Sequence, residues 1–265
     1  RQMEKSQREY YLNEQVKAFR ERSLAEHTYP VVWTDAIYEK VRVAGRVVSE
    51  AIIVVCGIDE SGHRDILAIE PMPEESEDSY KFVFDRLKER GLATPKLIVS
   101  DAHKGLVAAI KKGFPGASWQ RCKVHFMRNI LVHIPHKEKD AFAAELKGIW
   151  LAPNESTARD RASMLIDKYE KRFPKAIECL ENGLDDSLTF YAFPTLDHRK
   201  ISSTNMIERL NREIRRRTRV VGIFPNEDSY IRLVTTYLME YAEDWSVSRA
   251  YISEVTVKQI LQDAA

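Results

Sequence analysis

Between Tyr29 and Ile69 the chain carries three runs of β-branched and aromatic residues, broken only at Ala44-Gly45 and around Gly62. Runs of that composition suit a pleated, half-buried surface, and gaps this short leave room for hairpins only. Three antiparallel strands are therefore expected, over residues 31–43, 46–58 and 66–69. Whatever follows must be laid on that sheet.

Pro71 and Pro73 close the strand unit, and helical spacing through Tyr80, Val83, Phe84 and Leu87 predicts a helix over 74–91, ended by Gly91. Residues 96–100 then form a short continuous apolar run, the mark of a strand covered on both faces. A helix over 103–112 and a strand over 117–124 complete the order β-β-β-α-β-α-β, an α/β mixed sheet with helices on it. From Phe126 to Leu196 no strand pattern appears, so an all-α insertion is expected over 126–200. Closing helices are expected over 227–244 and, more weakly, 246–262. The organisation predicted is a helical lead-in over 1–28, a core from 29–125 and 201–245, the insertion between them, and a C-terminal helix in 246–265.

Composition narrows the setting. With 265 residues, 44% of them hydrophobic, the chain can bury the core of one large domain with an inserted subdomain. No apolar run approaches the roughly 20 residues that span a bilayer, so no membrane partner is expected. Three widely spaced cysteines, an odd number, argue for a reducing, cytoplasmic compartment. The chain opens at Arg1 inside a polar helical pattern, which reads as a fragment or a processed chain, so a missing N-terminal DNA-binding module is expected.

Charge is clustered although the net value is only +1. The stretch from Ile201 to Arg219 holds six arginines and two glutamates, a local charge of +4. Wound as a helix, it sets Glu208, Arg212, Arg215 and Arg219 within about 60° of one another, opposite Met206, Ile207, Leu210 and Ile214. One carboxylate heads a basic stripe, which suits a polyanion whose chemistry needs a metal ion. Asn205 with Glu208 three residues later also fits a pair that caps the helix.

Two further acids stand out by position. Asp35 interrupts the first strand, and Asp101 ends the fourth, where open α/β sheets place ligand-binding groups. If those strands are neighbours the two side chains converge, and a divalent cation relieves the cost of placing them together. A surface-facing strand position also accounts for Asp35, and a helix N-cap for Asp101.

The run from Asp101 to His125 resembles the signature of Mutator-type bacterial insertion-sequence transposases. Asp101, Gly105, Leu106, Gln120, Arg121, Cys122 and His125 match it. Residues 33–38 look like the strand bearing that family's first catalytic Asp, and 204–225 like the segment bearing its third acid. The resemblance spans nearly all of residues 29–245. It implies a ribonuclease H-like core and an Asp-Asp-Glu triad of Asp35, Asp101 and Glu208, with the helical insertion filling part of the stretch between the last two acids, which stand 107 positions apart. It also implies Mg²⁺ as cofactor, with Mn²⁺ able to substitute, held as two ions by the three carboxylates. The activity implied is cleavage and strand transfer of transposon-end and target DNA by a homodimer or larger synaptic assembly, close to the bacterial nucleoid. Arg212, Arg215 and Arg219 would hold the DNA backbone, and Arg216 and Arg217, projecting further round, other phosphates or none.

Cys122 and His125 form half a zinc site, which Cys179 and His198 could complete; a packed, positioning role is the other reading. Two alternatives of function stand beside transposition: a domesticated DNA-binding protein without catalysis, and a nuclease of the same superfamily without strand transfer.

Overall fold

The computed structural model describes residues 2–262; Arg1 and residues 263–265, the ends of the expected lead-in and C-terminal segments, lie outside the described residues. The lead-in is α1 (Gln2–Glu21), followed by β1 (Val31–Val43), β2 (Arg46–Ile58) and β3 (Arg64–Met72). Next come α2 (Glu77–Glu89), β4 (Leu97–Ser100), α3 (Lys104–Gly113) and β5 (Ser118–Arg121). A helical series follows: α4 (Lys123–Leu131), α5 (His136–Trp150), α6 (Glu155–Tyr169), α7 (Pro174–Leu188), a 3₁₀ turn (Thr189–Ala192) and the short α8 (His198–Ile201). The chain closes with α9 (Asn205–Thr218), α10 (Glu227–Val247) and α11 (Glu254–Gln262). The sheet has five strands in the order β3-β2-β1-β4-β5.

The hairpins form where the β-branched runs place them. β1 and β2 pair antiparallel over their whole length, from Val31 opposite Ile58 to Val43 opposite Arg46. Ala51 to Ile58 are buried without a break, because both faces of β2 are covered. β3 runs past the expected stop at Ile69, and Pro71 lies opposite Ile52. Proline is tolerated there because β3 is an edge strand whose outer side needs no N–H donor.

Two other expectations shift. β5 stops at Arg121 rather than residue 124, since Cys122 donates its N–H to Ser100 O at 2.7 Å and Lys123 already begins α4. The helix expected over 246–262 is broken, because Tyr251 and Ile252 donate their N–H groups to Gly62 O in the β2–β3 turn at 2.8 and 3.2 Å. Gly62 has φ +85, and any Cβ on it would collide with Ile252 O, so glycine is required on both counts.

The chain divides into two compact units. One comprises residues 1–98, 103–117 and 205–265; the other comprises 99–102 and 118–204. In the first, α2, α9 and α10 pack on the β1–β3 strands. α2 and α3 meet through Phe84 and Phe114, whose ring centres are 5.2 Å apart. Gly105 permits this approach, since a Cβ there would lie 2.6 Å from Glu77 N. In the second unit, α4 to α7 pack on one another around Phe126, Phe142, Leu146, Ile149 and Leu180. No described helix is long and apolar enough to cross a membrane.

Candidate active site

The amphipathic pattern of α9 is realised: Met206, Ile207, Leu210 and Ile214 are buried, while Arg212, Arg215, Arg216 and Arg219 are turned outward. Arg219 falls one residue beyond the helix, its N–H still donated to Arg215 O at 3.0 Å. Two polar residues that sequence patterning does not single out share the buried face, Asn211 and Thr218. Asn211 Nδ2 donates to Asp35 Oδ2 at 2.7 Å, and Thr218 Oγ1 donates to Glu39 Oε1 at 2.9 Å. Asp35 and Glu39 lie four residues apart on β1, hence on one face of the strand, and α9 lies along that face.

Glu208 sits one helical turn before Asn211, so it lies on the same side of α9 as the residue bonded to Asp35. The rise between them along the axis is about 4.5 Å. Two of the three expected acids are thus linked through one helix. Glu208 occupies the first turn, where the positive end of the helix dipole favours a carboxylate. Asn205 is exposed and already the first helical residue, so the N-cap position belongs to Thr204 instead. With Thr204 at the N-cap, Ile207 occupies the third helical position, so Asn205 and Glu208 do not form the expected capping pair.

Burial raises the Glu39 carboxyl above its ordinary range, partly offset by the Thr218 hydroxyl and the nearby Arg215. Arg217 stacks its guanidinium over Tyr237, 4.5 Å from the ring centre. Arg216 approaches Glu213 at 3.3 Å with 70% of its side chain exposed.

In the second unit Asp101 directly follows β4, and each member of the Gln-Arg-Cys-x-x-His run has a definite task. Gln120 is fully buried; its Nε2 donates to Ser187 O at 2.9 Å and its Oε1 accepts the Phe190 N–H at 2.7 Å, tying β5 to the end of α7. Arg121 lies over Phe126 at 4.1 Å; burial lowers its pKa, and Cys179, Asp186 and Asp101 oppose that by charge. A side chain at Gly183 would collide with Arg121, so α7 carries glycine where it crosses this strand.

Cys122 is buried, and its Sγ accepts the Thr204 N–H at 3.3 Å and the Thr204 hydroxyl at 3.2 Å. Burial alone would raise this thiol, yet hydrogen bonds from His125 and Thr204 hold it below its usual value. His125 Nδ1 stands 3.5 Å from the same hydroxyl. Lys123 donates its N–H to Ser202 O at 3.0 Å, so three bonds fasten residues 202–204 to the start of α4. Among the described residues Cys179 and His198 do not complete a metal-ligating group with Cys122 and His125. His198 instead faces Phe193 O at 3.2 Å.

A model of the family described as Transposase, Mutator family, matches residues 6–248. The transposase for insertion sequence element ISRM5 of Rhizobium meliloti (strain 1021) is 44% identical over 242 residues, 91% of this chain and 61% of that protein. The transposase for insertion sequence element IS256 in transposon Tn4001 of Staphylococcus aureus is 41% identical over 245 residues, 91% of this chain and 63% of that protein. The IS1081 transposase of Mycobacterium tuberculosis is 39% identical over 91% of this chain and 58% of that protein. The chain therefore spans about three fifths of the length of these relatives. Among solved structures, the Drosophila P element transposase strand transfer complex aligns at 11% identity with a TM-score of 0.29, over 88% of this chain and 70% of that one. That likeness is too weak to bear on the fold.

Proposed function

The chain belongs to the Mutator family of transposases, and on that premise we propose that it is the catalytic region of a DNA transposase, with Asp35, Asp101 and Glu208 as its acids. The observation that carries this reading is the 2.7 Å bond from Asn211 to Asp35, one turn after Glu208. Asp101 directly follows β4, the strand next to β1 in the sheet order, which supports its membership of the set and a ribonuclease H-like topology.

The donor set fits Mg²⁺, or Mn²⁺ in its place: carboxylate oxygens are the ligands these hard cations favour. The Asn211 amide orients the Asp35 carboxylate from one side. Its own Oδ1 is buried with no hydrogen-bond partner among the described residues, which leaves an acceptor for a water of such a site. When bound, divalent ions would activate the attacking hydroxyl and stabilise the leaving oxygen at a phosphodiester. The residues of the chain supply the rest. Asp35, Asp101 and Glu208 would hold the cations through their carboxylate oxygens, Asn211 holds the Asp35 carboxylate from one side, and Arg212, Arg215 and Arg219 would meet phosphates of the DNA backbone. Cys122 and His125 hold the segment leading into α9, a positioning role.

The test is nicking of a supercoiled plasmid and strand transfer from end-matched DNA in Mg²⁺, comparing the wild type with Asp35→Asn, Asp101→Asn and Glu208→Gln. Asn at 35 still accepts from Asn211, so folding is retained while the charge is lost. Activity is expected to vanish in all three. Persistence in all three would leave the inactive DNA-binding reading, or a different site, as the account.

A further inference from the structure

The chain leaves α9 through a loop that is first basic and then apolar. Thr218 is buried, Arg219 is exposed, and Val220 at 88% is the most exposed large hydrophobic side chain among the described residues. Val221 and Ile223 are exposed as well, at 44% and 41%. Val221 and Gly222 both donate N–H groups to Thr218 O, at 3.0 and 3.1 Å, and Gly222 has φ +74, so the turn is tight rather than slack.

The loop is also fastened to the sheet. Arg42 donates its N–H to Phe224 O at 2.9 Å and Phe224 donates to Lys40 O at 3.0 Å, a parallel bridge between Val41 and Phe224. The Phe224 ring is buried against Tyr230, centres 5.0 Å apart. The anchor lies next to the tip of the β1–β2 hairpin, where exposed Val43 pairs with Arg46 and exposed Val47 with Arg42. The turn fixes Val220, Val221 and Ile223 outward on one short loop, with further exposed valines on the neighbouring hairpin.

The surroundings decide what they meet. Lys40, Arg42, Arg46, Arg215, Arg216 and Arg219 are all exposed around them. A second copy of the chain would bring the same cations face to face. A duplex offers the complement, two rows of phosphates with stacked apolar bases between them. We propose that the loop over 219–223 is a wedge that enters a groove of duplex DNA, places Val220 and Ile223 against a base step, and opens it so that the duplex bends. This rests on the reading of the chain as a DNA-acting transposase and assigns that reading a DNA-deforming element distinct from the acids.

The experiment uses the whole chain and two duplexes of about 30 base pairs, one fully paired and one with a central mismatch, each with 2-aminopurine at the central step. A mismatch lowers the cost of unstacking, so the wild type is expected to prefer it about tenfold and to raise the 2-aminopurine fluorescence. The double variant Val220→Ser, Ile223→Ser should lose the preference and the fluorescence change yet keep salt-dependent binding to paired DNA. Arg215→Gln with Arg219→Gln should weaken both duplexes alike and keep the ratio. An unchanged ratio in the double serine variant overturns the wedge. Wild-type binding without mismatch preference overturns the wedge alone, whereas no binding to either duplex overturns the DNA-acting reading too. A double serine variant that changes only the sedimentation of the free chain would assign the patch to self-association and overturn the proposal.

Discussion

Asn211 illustrates why a single side chain can matter more than its place in a pattern suggests. In the sequence it is a polar residue inside a basic helix; in the structure it is buried and donates to Asp35 at 2.7 Å. Groups that orient a metal-binding carboxylate typically contribute about 10- to 100-fold in metal affinity. Asn211→Ala is therefore expected to raise the Mg²⁺ concentration for half-maximal nicking by about that factor, with little effect at saturating Mn²⁺. A titration of activity against each cation checks it, and an unchanged midpoint would remove Asn211 from the site. Glu39, also on β1, gives a pH prediction. Its carboxyl is raised by burial, so the fold favours the protonated form. The stability this contributes is present below the ordinary carboxylate range and is lost as pH rises through the raised value. Glu39→Gln, which still accepts from Thr218, should make the protein more stable near neutrality and flatten that decline. Urea unfolding between about pH 4 and pH 8 reads both effects.

At the scale of elements, the proposed site draws Glu208 and its arginine stripe from α9. Neutralising Arg212, Arg215 and Arg219 should lower the salt slope of DNA binding by about 0.9 for each phosphate that no longer meets a cation. An unchanged slope would move the DNA path away from this helix. Cys122 supports the entry to α9, since Thr204 directs both its N–H and its hydroxyl at the sulfur. Cys122→Ala removes that acceptor from buried donors and should cost about 1–3 kcal/mol of stability, measured by chemical unfolding. Cys122→Ser restores an acceptor and should recover part of it; equal destabilisation in both variants would point to packing instead. The β1–β2 hairpin is legible in the sequence to the residue, because β-branched runs ended by a glycine turn leave one solution. The ends of β5 and α10 are not, because they are set by partners distant in sequence. Ser100 takes the N–H at Cys122, and Gly62 captures Tyr251 and Ile252.

For the molecule as a whole, what the sequence makes visible follows chemical type. The acids Asp35, Asp101 and Glu208 and the arginine stripe stand out because charge is unusual on a strand and conspicuous on a helix. The amide Asn211 does not, since the worth of an amide depends on what lies opposite it in space. The same holds for Val220 and Ile223, ordinary in sequence and unusual only once the loop is seen fastened to β1. The central claim, that carboxylates on β1, just after β4 and on α9 form a divalent-cation site, is tested most directly by counting bound Mn²⁺. Electron paramagnetic resonance of the whole chain with a non-cleavable duplex should show about two bound ions per chain. Occupancy should fall in each of Asp35→Asn, Asp101→Asn and Glu208→Gln. Undiminished binding in all three variants would contradict the account.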